Sequence, residues 1–371
     1  MTIANDVLVY IGTYTEHPAT GEGSKGVYVA RFDPATGTLG PLTVAATLEN
    51  PSFVAVSRDA KFMYAVSEVG VRETGGEPTG FVHAYSVGAE GALTSLNRVA
   101  SGGADPCHIS VSRDGNTVAV ANYSGGSVAL IRRNADGSLG KSEIDPHPGH
   151  GPRADRQKTA HAHSVDFSSN DRTLLSCDLG ADRVFLYHMG RMPADMRTSV
   201  ALEPGSGPRH LALHPSGRYA YVINELSNTV AAFAFNASAG TLRQMQTIST
   251  LPFGHTGPSN TAEIVAHPSG RFVYGSNRGH DSIVGYAVNA KSGRLTHLGN
   301  TPTGGKTPRS FAIDPTGRWL IAANQATDSL ITFAVDHRSG ALTPTGASVT
   351  VPRPVCVLFV SPAGSVGTPG R

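Results

Sequence analysis

The sequence predicts an all-β chain folded as a seven-bladed β-propeller, with its last blade closed by strands from both chain ends. Three observations carry this. Short apolar runs bounded by turn residues fill the chain, the pattern repeats at a steady period, and each end holds part of one further copy.

The clearest copy is residues 208–235, PRHLALHPSGRYAYVINELSNTVAAFAF. An apolar run at 211–213 breaks at His214-Pro215-Ser216-Gly217-Arg218, and a second run follows at 219–223. After the polar set 224–228 comes a third run, 229–235, rich in β-branched and aromatic residues. Such runs read as consecutive antiparallel strands, and no stretch has the length and spacing of an amphipathic helix.

Similar copies begin at Pro51, Pro106, Ala162, Thr261 and Pro308, and an opening run alone begins at Val355. From 51 onward the starts are 55, 56, 46, 53, 47 and 47 residues apart. One unit cannot bury both faces of so small a sheet, so the units stack around an axis. The run 355–361 lacks later strands, and the N-terminal runs 7–12 and 26–32 supply them, which removes the open edges of an array. The repeat is longer than the roughly 40–45 residues of a WD40 blade, and the Trp-Asp dipeptide is absent.

A propeller is one closed unit, so residues 1–362 are expected to form a single domain, with a Gly/Ser/Pro-rich tail at 363–371 expected to be disordered. Gly 43 and Pro 24 suit many tight turns. A formal charge of +2, with no basic run, argues against a nucleic-acid or membrane surface. No apolar run approaches the ~18 residues of a membrane span, and the N-terminal residues lack a signal-peptide pattern. Three scattered cysteines (Cys107, Cys177, Cys356) favour a reducing cytoplasm.

In each blade the start of the first strand and the end of the second share one rim. The turns between them (SRDA, SRDG, SSND, HPSG, HPSG, DPTG) sit on the opposite face and hold ordinary turn residues. The shared rim is richer. Strand starts bring Cys107, His108, His161, His163, Arg209, His210, Glu263 and Arg309. Strand ends bring Thr13, Tyr14, Glu68, Asn122, Tyr123, Asp178, Asn224, Glu225, Asn277, Arg278, Asn324 and Gln325. Asn and Asp at strand ends are more often turn formers than ligands, and Arg209 and Arg309 also fit blade-to-blade ion pairs. Arg209, Glu225 and Arg278 near one axis fit function better, because buried charges need a reason to stay.

Residues 141–160, KSEIDPHPGHGPRADRQKTA, form the longest irregular stretch, a functional loop or a solvated one. They lead into His161 and His163, two apart on an expected strand and so on one face. That pair fits metal ligands, an acid/base catalyst with a partner, or hydrogen-bonded rim histidines. Spacing places no third ligand, so no metal is expected. Cys107 and His108, adjacent on a strand, argue against a cysteine–histidine dyad. There is no G-x-S-x-G elbow, P-loop or dinucleotide fingerprint, and no cofactor is expected.

The strings AHAHSV, GPRHLALHPSGRYAYVINEL, SNRGHDSI, PRSFAIDPTGR and PVCVLF resemble the seven-bladed lactonase family, which holds propeller-type 6-phosphogluconolactonases and carboxy-cis,cis-muconate cyclases. The resemblance runs from Val7 to about Ser361. It implies a catalytic set of His161, Arg209, Glu225 and Arg278, with His163 in reserve for the histidine. His163, His210, Tyr14, Asn277, Arg309 and Asn324 are the candidates for contact with a small anionic lactone. Glu225 or His161 would activate water, and the arginines would hold an oxyanion and an anionic group. Arginine's fork suits carboxylate and phosphate alike. The expected activity is therefore hydrolysis of a sugar lactone, foremost 6-phosphogluconolactone. The alternatives are a muconate-type cycloisomerase and a non-catalytic ligand-binding propeller.

Overall fold

The computed structural model describes residues 7–16, 23–71, 78–189, 197–361 and 366–367 and arranges them as seven antiparallel sheets. Six have four strands in chain order. The fourth blade, for example, comprises Pro208–Leu213, Tyr219–Asn224, Thr229–Asn236 and Thr241–Ser249. In the seventh, Pro354–Val360 from the C-terminal part of the chain pairs with Val7–Thr13, which pairs with Gly26–Asp33. Pro354–Val360 also packs on Pro308–Ile313 and on Val54–Val56, so the ring closes. The tail 363–371 lies mostly outside the described residues; within it, Val366–Gly367 pair with Phe359 and Val360.

Inner strands are covered on both faces by neighbouring blades, which is why they read as unbroken apolar runs rather than alternating ones. Pro208–Leu213 and Tyr219–Asn224 are buried throughout, whereas most of Thr241–Ser249 is exposed. The core therefore lies between blades: Tyr221 and Ile223 of the fourth pack against Ile264, Val273 and Tyr286 of the fifth.

A latch repeats at four blade boundaries. Tyr10, Tyr64, Tyr221 and Tyr274 each donate a hydroxyl hydrogen bond across the boundary, to the carbonyls of Gly91, Gly137, Gly293 and Gly340 at 2.8–3.1 Å. Each glycine has φ between +69° and +89°, and a Cβ there would meet an aromatic side chain of the preceding blade at 2.1–2.8 Å. Only glycine satisfies both demands.

Two expectations are corrected. The irregular stretch begins at His147 rather than Lys141, because Leu139–Pro146 is the outer strand of the second blade. His161 precedes its strand, Ala162–Phe167, so it and His163 are not two alternating strand positions.

Candidate active site

The rim is real. Pairings of Pro106 with Asn122, Ala162 with Asp178, Pro208 with Asn224 and Pro308 with Asn324 put strand starts beside strand ends. Each of these inner strands slips register there, leaving Cys107, His163, Arg209 and Arg309 as the extra residue, and in the fifth blade Ala262 and Glu263 stand opposite Ser276 alone. A bulge turns a side chain away from strict alternation, and here it does so at the same place in successive blades. The opposite-face argument for Cys107 and His108 therefore does not hold, although Cys107 Sγ stands 3.7 Å from His163 Nδ1 rather than forming a dyad with His108.

Glu225 is the centre. Its Oε2 accepts from Arg209 Nε at 3.0 Å and pairs with Arg278 at 2.9 Å, and its Oε1 accepts from Arg156 at 2.7 Å. His163 Nε2 lies 4.0 Å from Oε2. Burial would raise the Glu225 carboxyl, but the guanidiniums of Arg278, Arg209 and Arg156 outweigh it and hold it down at about 2. Burial pushes Arg278 down to about 10. Arg209 NH1 donates to the Ala262 carbonyl at 2.7 Å and Arg278 to that of Thr261 at 2.7 Å, so backbone fixes both.

His161 stacks on Tyr123 with ring centroids 4.6 Å apart. Its Nδ1 lies 2.9 Å from the Tyr123 carbonyl, which can only accept, so Nδ1 carries a hydrogen. Asp178 holds the backbone: its Oδ1 accepts from the amides of His161 and Ala181 at 2.8 Å. Gly180 packs so closely that a Cβ would meet the Thr159 carbonyl at 1.9 Å and the imidazole at 2.9 Å.

Three buried imidazoles lie together beside the cluster. His210 and His108 have ring centroids 5.0 Å apart, and His210 and His163 5.3 Å. Burial pushes all three imidazoles well down. His210 pairs through Nδ1 with Glu263 Oε1 at 2.9 Å. Among the described residues no group of three His, Cys, Asp or Glu side chains is arranged to hold a metal ion.

Arg309 and Tyr14 form a second cluster. Arg309 donates to Tyr14 Oη at 2.9 Å, and Tyr14 donates to Glu68 Oε1 at 2.9 Å. Burial raises the Glu68 carboxyl against the pull of Arg309. Asn277 and Asn324 use their side-chain amide groups within the sheet framework. Fully buried, they donate to the Thr250 and Thr303 carbonyls at 3.0 and 3.3 Å, tying second strands to outer strand ends.

With this geometry in hand, similarity to known proteins is informative. Residues 8–359 match the family described as lactonase, 7-bladed beta-propeller. The chain belongs to the seven-bladed β-propeller lactonase family. Within these lactonases it is 37% identical to the 6-phosphogluconolactonase of Bacillus subtilis, over 95% of this chain and 97% of that one. It is 32% identical to the 6-phosphogluconolactonase of Formosa agariphila, over 82% and 86%. The periplasmic gluconolactonase of Pseudomonas aeruginosa superposes with a TM-score of 0.86 at 36% identity, over 95% and 99%.

Sequence reasoning missed Arg156 as a site residue of this lactonase. It stood among His147, His150, Arg153 and Lys158 in one polar stretch, and no spacing rule says which side chain turns inward. The structure supplies the reason: buried Gln157 donates to the Leu179 carbonyl at 2.8 Å and accepts from the Arg153 amide at 3.1 Å, which turns Arg156 toward Glu225.

Proposed function

We propose that this lactonase hydrolyses a sugar lactone, 6-phospho-D-glucono-1,5-lactone, to 6-phosphogluconate. The observation that carries the reading is one carboxylate, Glu225, ringed by three guanidiniums, on the same rim as His161, whose ring is oriented through Nδ1 by the Tyr123 carbonyl. The names of the Bacillus and Formosa relatives support the substrate.

In this reading His161 Nε2 takes a proton from water as the water oxygen attacks the lactone carbonyl carbon. Arg209 and Arg278 supply the positive charge that the tetrahedral oxyanion needs. The C1–ring-oxygen bond then breaks, and the ring oxygen takes the proton back from His161, giving the open hydroxy acid. Glu225 is better suited to organising arginines than to taking a proton, because a carboxyl held at about 2 is a weak base. No helix among the described residues is long and apolar enough to cross a membrane. Three free, buried cysteines support a cytoplasmic setting.

The test is turnover of freshly made 6-phosphogluconolactone beside glucono-1,5-lactone, with spontaneous hydrolysis subtracted. Hydrolysis above background is expected. Failure on both lactones would overturn the reading and favour the cycloisomerase or the binding protein.

A further inference from the structure

The three arginines around Glu225 are not equivalent. Arg209 is 3% exposed in its side chain, with Nε on the carboxylate and NH1 on a backbone carbonyl. Arg278 is 17% exposed, and its one bonded nitrogen, NH2, serves both Glu225 and the Thr261 carbonyl, while its Nε is buried. Arg156 is 33% exposed, and it alone comes from the loop between the second and third blades. Its NH2 reaches both Glu225 Oε1 at 2.7 Å and Tyr123 Oη at 3.2 Å. No described residue bonds its Nε or NH1. A guanidinium anchored by one corner, with its other edge toward solvent, is prepared to take a second anion through two parallel hydrogen bonds.

The loop holds that edge in place. At its start, His147 is buried between Asp178 Oδ2 and Tyr187 Oη, each at 2.7 Å. At its end, the 153–157 turn closes through Arg156 N to Arg153 O at 2.9 Å and Gly151 N to Gln157 O at 3.0 Å. Gln157 itself is fully buried. Binding an anion therefore orders little that is not already ordered. Arg156 also stands on the opposite carboxylate oxygen from Arg209 and Arg278, so an anion on its free edge is displaced from the charge those two offer an oxyanion.

Resting on the lactonase reading above, we infer that Arg156 receives the phosphate of a phosphorylated aldonolactone and is the residue that selects such lactones over unphosphorylated ones. Relatives that divide between 6-phosphogluconolactonase and gluconolactonase make that selection a real question for this fold.

The experiment compares wild type, Arg156→Gln and Arg156→Lys on 6-phosphogluconolactone and on glucono-1,5-lactone. A lost charge-assisted pair of hydrogen bonds should lower kcat/KM for the phosphorylated lactone about 10–100-fold more than for the plain one. The excess should lie in KM, and lysine should restore part of it. Equal losses on both lactones, or a loss confined to kcat, would overturn the inference and leave the lactonase reading standing. Calorimetric binding of 6-phosphogluconate and gluconate gives a readout free of turnover. Wild type should prefer the phosphorylated acid, and Arg156→Gln should lose that preference. If wild type hydrolyses neither lactone, an Arg156-dependent preference in this binding still supports the inference, and no preference overturns it.

Discussion

Glu225 and Glu263 stand on adjacent blades of one axis, 4% and 2% exposed, and are driven in opposite directions. Glu225 is held at about 2 and Glu263 is pushed up to about 8. Burial raises both, so burial does not set the difference. Glu225 touches three guanidiniums. Glu263 touches His210 Nδ1 and the Ile264 amide through Oε1, its Oε2 has no partner among the described residues, and against its burial stand only Arg209 and the hydrogen bond from the Ile264 amide. One rim thus holds one carboxyl pushed down and one pushed up, and the placement of arginines distinguishes them.

The largest effect is expected from Glu225→Gln. The substitution keeps the shape but leaves Arg209 and Arg278 buried without a counter-charge, which should cost about 3–5 kcal/mol in denaturant unfolding at pH 7. The pH dependence has a definite sign. A carboxyl depressed from roughly 4.3 to about 2 contributes stability above its unfolded value and loses it as pH falls through that window. Wild type and Glu225→Gln should therefore converge as the medium is taken from pH 5 towards pH 2. Equal stability at pH 7 would remove Glu225 as the organiser of the cluster.

Arg209 is next, because it lies between the two carboxyls and lowers both. Arg209→Lys keeps one charge but cannot hold both the Glu225 oxygen and the Ala262 carbonyl. If Arg209 supports the oxyanion, kcat should fall about 10²–10³-fold on both lactones alike. A loss seen only in KM, and only for the phosphorylated lactone, would move Arg209 to anion binding and undercut Arg156.

The periodic features of the molecule were legible in the sequence. Seven blades, the split closing blade and the rim follow from repeated apolar runs, and Arg209, Glu225 and Arg278 came out as neighbours because strand direction fixes which ends meet. The bulges were not legible. No composition signal marks the one-residue slip at Arg209 or the pairing of His210 with Glu263. Nor was the inward turn of Arg156, which depends on Gln157 being buried in a loop that reads as uniformly polar. The hydrogen bonds of Asn277 and Asn324 were not legible for a related reason. An amide at a strand end serves a ligand or a neighbouring carbonyl equally well, and only the position of Thr250 and Thr303 decides.

The smallest effect, and the sharpest on the two carboxyls, is expected from Glu263→Gln. At neutral pH the folded protein keeps a proton on Glu263 that the unfolded chain has released. The sign is therefore opposite to that of Glu225. Stability from a carboxyl raised from roughly 4.3 to about 8 is fully present below the unfolded value and is lost as pH rises through the folded one. Glutamine, which is neutral at every pH and can still meet His210, should leave the melting temperature near wild type at pH 4. It should then exceed wild type by a margin that grows up to pH 8.5. Lactone turnover should change far less than in Glu225→Gln, since Glu263 is paired with His210 and not with the arginines that surround Glu225. A constant gap between Glu263→Gln and wild type across that range would mean that Glu263 is charged, and the opposition between the two carboxyls would fall.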